Sequence, residues 1–315
     1  MTDYFKEPGL YTDQINPFPF GDGVTWPYLK ESGFKWASFQ CYNSQLFAGT
    51  KEYDLAAVKA HGFENVGVWG VIYSQADYYN GGKQIGMSAK KQGAQHVIID
   101  AEECHKNTRD LSKGAEIIKG LRDGGWTGAV DLSTLGSPSN PMINDFAMDT
   151  KSFTDTGGSI QPQDYCNDYA EYTPKNSSLY WPRVGVPKNL INHTIGLYPG
   201  KLGKITGLQW VDLLKQAGVG RNFSVYQVQD TTKKDFDALA AYLKELSTTP
   251  VAYNSTMAKA DMLFAAQKWL NGQEPNLQLF SRIRQARRIL LTTDPQWSTL
   301  SSEVKTLLDD NGVKQ

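Results

Sequence analysis

His96-Val97-Ile98-Ile99-Asp100-Ala101-Glu102-Glu103 is a short apolar run that ends abruptly in three carboxylates. A run of this length reads as a buried strand, and the C-terminal ends of strands are where an α/β barrel holds its chemistry. Alternate side chains on a strand share a face, so Asp100 and Glu102 point one way and Glu103 the other. Two like charges that close raise the pKa of one member, as a general acid requires. Taken alone, the segment reads equally well as a solvated acidic loop behind a core strand.

Working outward, short apolar or aromatic runs alternate with helical patterns from residue 9 to about 246, the signature of βα units around a parallel sheet. Strands are predicted at 9–13, 35–41, 66–73, the opening segment, 128–133, 159–165, 194–198 and 223–229. Helices are predicted at 24–32 with Thr25 as cap and Gly33 as stop, at 53–60 before His61-Gly62, and at 82–92. Further helices follow at 111–122 before Gly124-Gly125, at 207–217 before Gly218, and at 236–243. Eight strands with intervening helices over some 240 residues predict a (β/α)8 TIM-like barrel for residues 1–249. A doubly wound open sheet is the runner-up, weakened because no glycine-rich phosphate turn follows strand 1. The connection after strand 6 is long and rich in Pro, Asn and Tyr, which suits a lid or a substrate-facing loop.

Residues 250–315 change character. Helical patterns at 257–270, 277–291 and 296–308 are separated by Asn271-Gly272 and Asp294-Pro295, so a small C-terminal helical domain is expected. Its apolar stripes suit either packing on the barrel or a docking and oligomerisation role.

The 315 residues, 40% hydrophobic and 12% aromatic, suffice for one large core plus a small appendage. Lys+Arg 32 against Asp+Glu 33 leaves a net charge of −1, so no whole-protein field favours nucleic acid or an anionic membrane. The arginines at 282, 284, 287 and 288 scatter around a helix and form no stripe. No apolar segment has the length of a membrane span, and the stretch from Met1 to Pro8 lacks the pattern of a secretion signal. Folding in a reducing cytosol is therefore expected, with lysis or assembly into a particle as the routes out of the cell. Cys41, Cys104 and Cys166 are odd in number and loosely spaced, which excludes a disulfide scaffold. Even with His105 nearby they lack metal-site spacing, so neither a metal nor any other cofactor is expected.

In a barrel the strand ends converge on one mouth. The residues predicted there are Asp13, Gln40, Tyr73, Gln75, Asp77, Asp100, Glu102, Asp131, Gln163, Asp164, Tyr198, Gln227, Gln229 and Asp230. The set is rich in carboxylates, amides and tyrosines and free of lysine and arginine, which suits a neutral polyhydroxylated ligand better than a phosphorylated one. Glycoside hydrolysis needs one protonated carboxyl for the leaving oxygen and one carboxylate for the oxocarbenium-like centre. Glu102 is the candidate acid and Asp100 or Asp13 its partner. Tyr165, Tyr169, Tyr172, Tyr180 and Trp181 crowd the strand 6 to 7 connection, as a sugar platform or as loop packing.

The run from Trp26 to Ala37, the strand Gly67-Val-Trp-Gly-Val-Ile-Tyr73 and the motif Ile99-Asp-Ala-Glu102 together resemble family 25 glycoside hydrolases, the lysozyme-like muramidases of bacteria and phages. The resemblance covers the barrel region alone. It implies that Glu102 is the proton donor, with Asp100 as the motif's aspartate and Asp13 as the strand 1 aspartate. Tyr226-Gln-Val-Gln-Asp230 loosely matches the family's late strand, which makes Asp230 or Asp235 the last acidic position. Tyr73, Gln40, Gln75, Asp131, Tyr198, Gln227 and Gln229 are then substrate-binding candidates. Asp13-Gln-Ile and Ile72-Tyr-Ser depart from the family's pattern on strands 1 and 3, and both changes bear on substrate binding. The implied function is a peptidoglycan hydrolase, phage-encoded and either tail-associated or a lysin. A catalytically inactive barrel that binds wall carbohydrate or builds a virion is the alternative, with 250–315 contacting phage structural proteins.

Overall fold

The computed structural model describes residues 4–18, 21–46, 49–73, 77–101, 112–136 and 150–248. Eight strands close into a barrel in sequence order, with β1 beside β8 and every pair parallel. They are β1 (Gly9–Thr12), β2 (Trp36–Asn43), β3 (Asn65–Val71), β4 (Val97–Asp100), β5 (Val130–Leu135), β6 (Ile160–Asp164), β7 (His193–Gly196) and β8 (Phe223–Tyr226). The helices are α1 (Trp26–Glu31), α2 (Leu55–Lys59), α3 (Tyr78–Lys91), α4 (Ser112–Asp123), α5 (Thr150–Thr154), α6 (Pro174–Arg183), α7 (Gly207–Ala217) and α8 (Lys233–Thr248). The predicted (β/α)8 barrel is thus the observed fold. The helices expected within 250–315 lie outside the described residues.

Strand alternation splits the core in two. Leu10, Ala37, Phe39, Val68, Val97, Ile99, Leu132, Ile195 and Val225 belong to the large cluster between sheet and helices. Tyr11, Trp36, Trp69, Val71 and Ile98 form a second cluster inside the barrel, with Tyr4, Tyr73 and Tyr226 against it. Parallel strands carry apolar side chains on both faces because both are covered, which is why β4 reads as an unbroken apolar run. Complete burial of a leucine or phenylalanine in such a core contributes about 1.5–3 kcal/mol.

The barrel floor is closed by the N-terminal segment. Tyr4, in a short 3-10 turn, stacks on His96 with ring centroids 4.3 Å apart and donates its hydroxyl to Asp131. Burial pushes the Tyr4 phenol upward, so it stays protonated as the donor, and burial likewise lowers His96 to about 3, which keeps its ring neutral.

Two predicted helix signals hold, whereas α3 starts four residues before the predicted 82 and α8 three before 236. Thr25 caps α1 by accepting from the Tyr28 backbone N–H, and Gly218 ends α7 at φ +66°. Helices α3 and α4 approach backbone to backbone: a Cβ on Gly82 would lie 2.3 Å from the Ile117 carbonyl oxygen. On the facing helix, a Cβ on Gly120 would lie 2.1 Å from the Tyr79 oxygen. Gly82→Ala is therefore expected to lower stability by about 1–3 kcal/mol despite alanine's better helix propensity. Urea unfolding measures it, and a neutral or stabilising result would remove the close-approach explanation.

The connection after β6, predicted as a lid or a substrate-facing loop, carries a helix. It contains α6, begun by Thr173 as cap with Pro174 in the first turn, and Trp181 on it is 1% exposed, its indole donating to the Gly136 carbonyl at 2.9 Å. Proline at that position suits a helix start because its missing N–H would be unused there.

Candidate functional site

Strand β4 ends at Asp100, which lies at the barrel's C-terminal rim and is 9% exposed. The amide nitrogen of Gln163, near the end of β6, donates to Asp100 Oδ1 and to Ser133 Oγ, each at 3.1 Å. This bond crosses from β6 over β5 to β4 and orients the carboxylate. A cavity of about 520 Å³ opens above it, lined by Asp100, Leu135, Gln163, Tyr165, Asp168, Tyr169, Tyr198, Pro199, Tyr226, Gln227 and Asp230. That volume falls in the ordinary range for small-molecule sites.

Tyr226 is the centre of the aromatic wall. Its ring stacks on Tyr165 at 5.6 Å, meets Tyr198 edge-on at 5.8 Å, and contacts Trp69 at 6.0 Å inside the barrel. Gln227 donates its amide to the Tyr226 hydroxyl at 2.6 Å, across a cis Tyr226–Gln227 peptide. Tyr11, deeper in the barrel, donates to Gln161, and burial together with nearby Asp131 and Asp100 pushes its phenol well up.

Opposite Asp100, the loops after β1 and β8 bring further carboxylates together. Gln229 donates to Asp13 Oδ1 at 2.8 Å, and Tyr53 donates to the backbone oxygens of Asp13 and Gln40 at 2.7 and 2.9 Å. Asp230 is pushed upward, first by burial and then by the Asp13 charge, with Lys204 opposing. The proximity of Asp13 and Asp230 is a like-charge pair of the kind the sequence placed at the mouth.

The predicted site residues separate into groups. Asp100, Tyr198, Gln227 and Asp230 line the cavity; Asp13 and Gln229 adjoin it through their hydrogen bond and the Asp230 charge. Gln40 and Tyr73, on the β2–β3 side, are not among its lining, and Tyr73 is fixed by a backbone bond to Ser44 Oγ at 3.0 Å. Glu102 and Gln75 lie outside the described residues. Asp131 is not at the mouth, where a strand ending at Ser133 would place it. Strand β5 runs two residues further, so Asp131 is its second residue, buried at the floor, where it accepts from Tyr4 and from the Ser159 N–H and hydroxyl, each of the latter at 2.6 Å.

Asp77 and Asp164 are also diverted. Asp77 caps α3, accepting from Asn80 N–H at 2.9 Å. Asp164 faces away from the barrel interior, hydrogen-bonded to His193 and Ser177 beneath α6. Asp168 is the residue that sequence reasoning missed: it accepts from the Tyr198 hydroxyl and, at 2.9 Å, from the Lys201 N–H, and it lines the cavity. Its only signal was its place in the tyrosine-rich connection. From that connection Tyr165 and Tyr169 wall the cavity, while Tyr172 and Trp181 are buried.

Burial pushes the Cys41 and Cys166 thiols up to about 12, which leaves them protonated and poor nucleophiles or ligands. Among the described residues no group of His, Cys, Asp and Glu could hold a metal ion, and no helix is long and apolar enough to cross a membrane.

No protein-family model matches the chain, and no curated protein matches it by sequence. Solved structures do match it. The spore cortex-lytic enzyme SleL of Bacillus cereus aligns at 11% identity and TM-score 0.51, over 75% of this chain and 74% of that one. A class V chitinase from Pseudomonas fluorescens Pf-5 aligns at 10% identity and TM-score 0.52, over 75% of this chain and 99% of that one. At such identities the likeness is one of fold, an eight-stranded α/β barrel.

Proposed function

We propose that this protein is a glycoside hydrolase directed at bacterial cell-wall peptidoglycan, with Glu102 as proton donor and Asp100 as its carboxylate partner. The observation that carries the reading is the mouth itself. A held carboxylate at the end of β4 opens into a cavity walled by tyrosines and glutamines, the surfaces that stack on sugar rings and bond their hydroxyls. The glycosidic oxygen would take its proton from Glu102 as the bond to the anomeric carbon breaks. Asp100 would stabilise or attack the positive charge that develops on that carbon. The two structural neighbours, a cortex-lytic enzyme and a chitinase by their names, agree with a glycan substrate.

A second reading, a non-catalytic barrel that binds wall carbohydrate, draws on the commitment of Asp13 and Asp168 to neighbouring side chains. The finer setting proposed from sequence is a phage tail component or lysin that acts outside the host cell, with 250–315 docking to virion proteins. Purified protein is expected to release reducing sugar from bacterial cell walls. Wall pull-down without release from any wall or from chitin would replace the hydrolase reading with the binding one.

A further inference from the structure

Several acidic side chains away from the mouth have a basic partner. Glu7 pairs with Arg221, Glu52 with Lys91, Glu64 with Lys30 and Lys35, Asp155 with Lys151, Asp235 with Lys204, and Glu245 with Lys215. At the mouth the pattern changes. Asp13 receives the neutral amide of Gln229, Asp168 receives a phenol and a backbone N–H, and the Asp230 carboxylate accepts no hydrogen bond among the described residues. No lysine or arginine is among the described residues lining the cavity, which places three carboxylates against four tyrosines.

Tyrosine faces carry negative quadrupole charge, so this wall favours a cation as well as a sugar ring. The chain supplies an internal example. The Lys201 ammonium sits 4.6 Å from the ring centroid of Tyr169 and donates to its hydroxyl at 3.1 Å, while the Lys201 N–H bonds Asp168. A primary ammonium therefore already rests on a tyrosine of this wall, and the backbone N–H of the same lysine bonds a wall carboxylate. The other nearby ammonium, Lys204, is engaged by Asp235 at 2.9 Å. Asp230, raised by burial and by Asp13, would be relieved by positive charge brought into the cavity.

We infer that a subsite of this mouth binds a hexosamine unit whose amino group is free, with the ammonium held by Asp168 and Asp230 and by the tyrosine wall. The preferred glycan is then a partly de-N-acetylated hexosamine polymer. The inference rests on the proposed glycan-cleaving site and specifies its substrate. Acetylation removes the charge and adds bulk, so an N-acetylated unit loses the interaction these carboxylates offer.

Titration calorimetry on the full chain, with a free-amine glucosamine oligomer and its N-acetylated counterpart of equal length, tests this. The free-amine oligomer is expected to bind more tightly, on the order of tenfold at low salt, with the ratio shrinking toward one as salt screens the charges. Asp168→Asn and Asp230→Asn should each reduce the ratio, and circular dichroism confirms that the variants fold. Asp155→Asn, on the exposed surface, should not reduce it. Equal affinity, a preference for the acetylated oligomer, or a ratio that neither mouth variant alters would overturn the inference. Hydrolysis of acetylated wall without amine preference would sink this inference and leave the hydrolase reading standing. Amine-selective binding without hydrolysis would do the reverse.

Discussion

Glu102→Gln is expected to lower turnover on cell-wall glycan by about 10²–10⁴-fold, the usual contribution of a positioned general acid. Glutamine keeps the shape and hydrogen-bonding reach of glutamate but carries no proton that it can give to a departing oxygen. The loss should therefore fall on kcat, with KM little changed and the thermal unfolding midpoint preserved. Asp100 remains in place in this variant, still held by Gln163 at 3.1 Å, so whatever it contributes to the developing positive charge persists. Reducing-end release and unfolding curves, taken on the same preparations, separate chemistry from folding. A loss under about tenfold would remove Glu102 from the acid's role and move attention to Asp230, the carboxyl at this mouth that burial and Asp13 push upward.

Asp164→Ala carries the largest expected effect on stability, about 2–5 kcal/mol, because it leaves two buried hydrogen-bonding partners of the carboxylate unsatisfied. Asp164 has no exposed surface and His193 is 3% exposed. The carboxylate meets His193 Nδ1 at 2.6 Å and accepts from Ser177, while Ser178 Oγ lies 3.3 Å from His193 Nε2. This network ties β6 and β7 to α6, and alanine would leave both the imidazole and the Ser177 hydroxyl without their partner in the interior. Gln163 and Tyr165 flank Asp164 in sequence and line the cavity, so activity should fail at a lower temperature in this variant. Urea unfolding that shifts by under about 0.5 kcal/mol, as for an ordinary surface substitution, would show the network to be dispensable.

The order and number of barrel strands were readable from sequence because their signals are local: apolar runs four to eight residues long, separated by helical periodicity and glycine stops. Gly33, Gly62, Gly93, Gly125 and Gly218 all adopt positive φ at helix ends. These conformations cost other residues, which is why glycine there is legible. The placement of Asp100 at the end of β4 follows from the same local run.

What a carboxylate near a strand end faces is not a local property. Asp77, Asp131 and Asp164 share the sequence context of Asp100, yet one caps a helix, one closes the floor and one lies beneath α6. A shift of one residue in a strand turns a side chain to the other face, and two residues at the strand end move it by a full layer along the barrel. Sequence alone thus determined an eight-stranded α/β barrel with an acidic, amide-rich and tyrosine-rich set of strand ends. Only the tertiary structure decided which of them converge, because the cavity draws Asp100, Asp168 and Tyr226 from separate segments that meet through barrel closure.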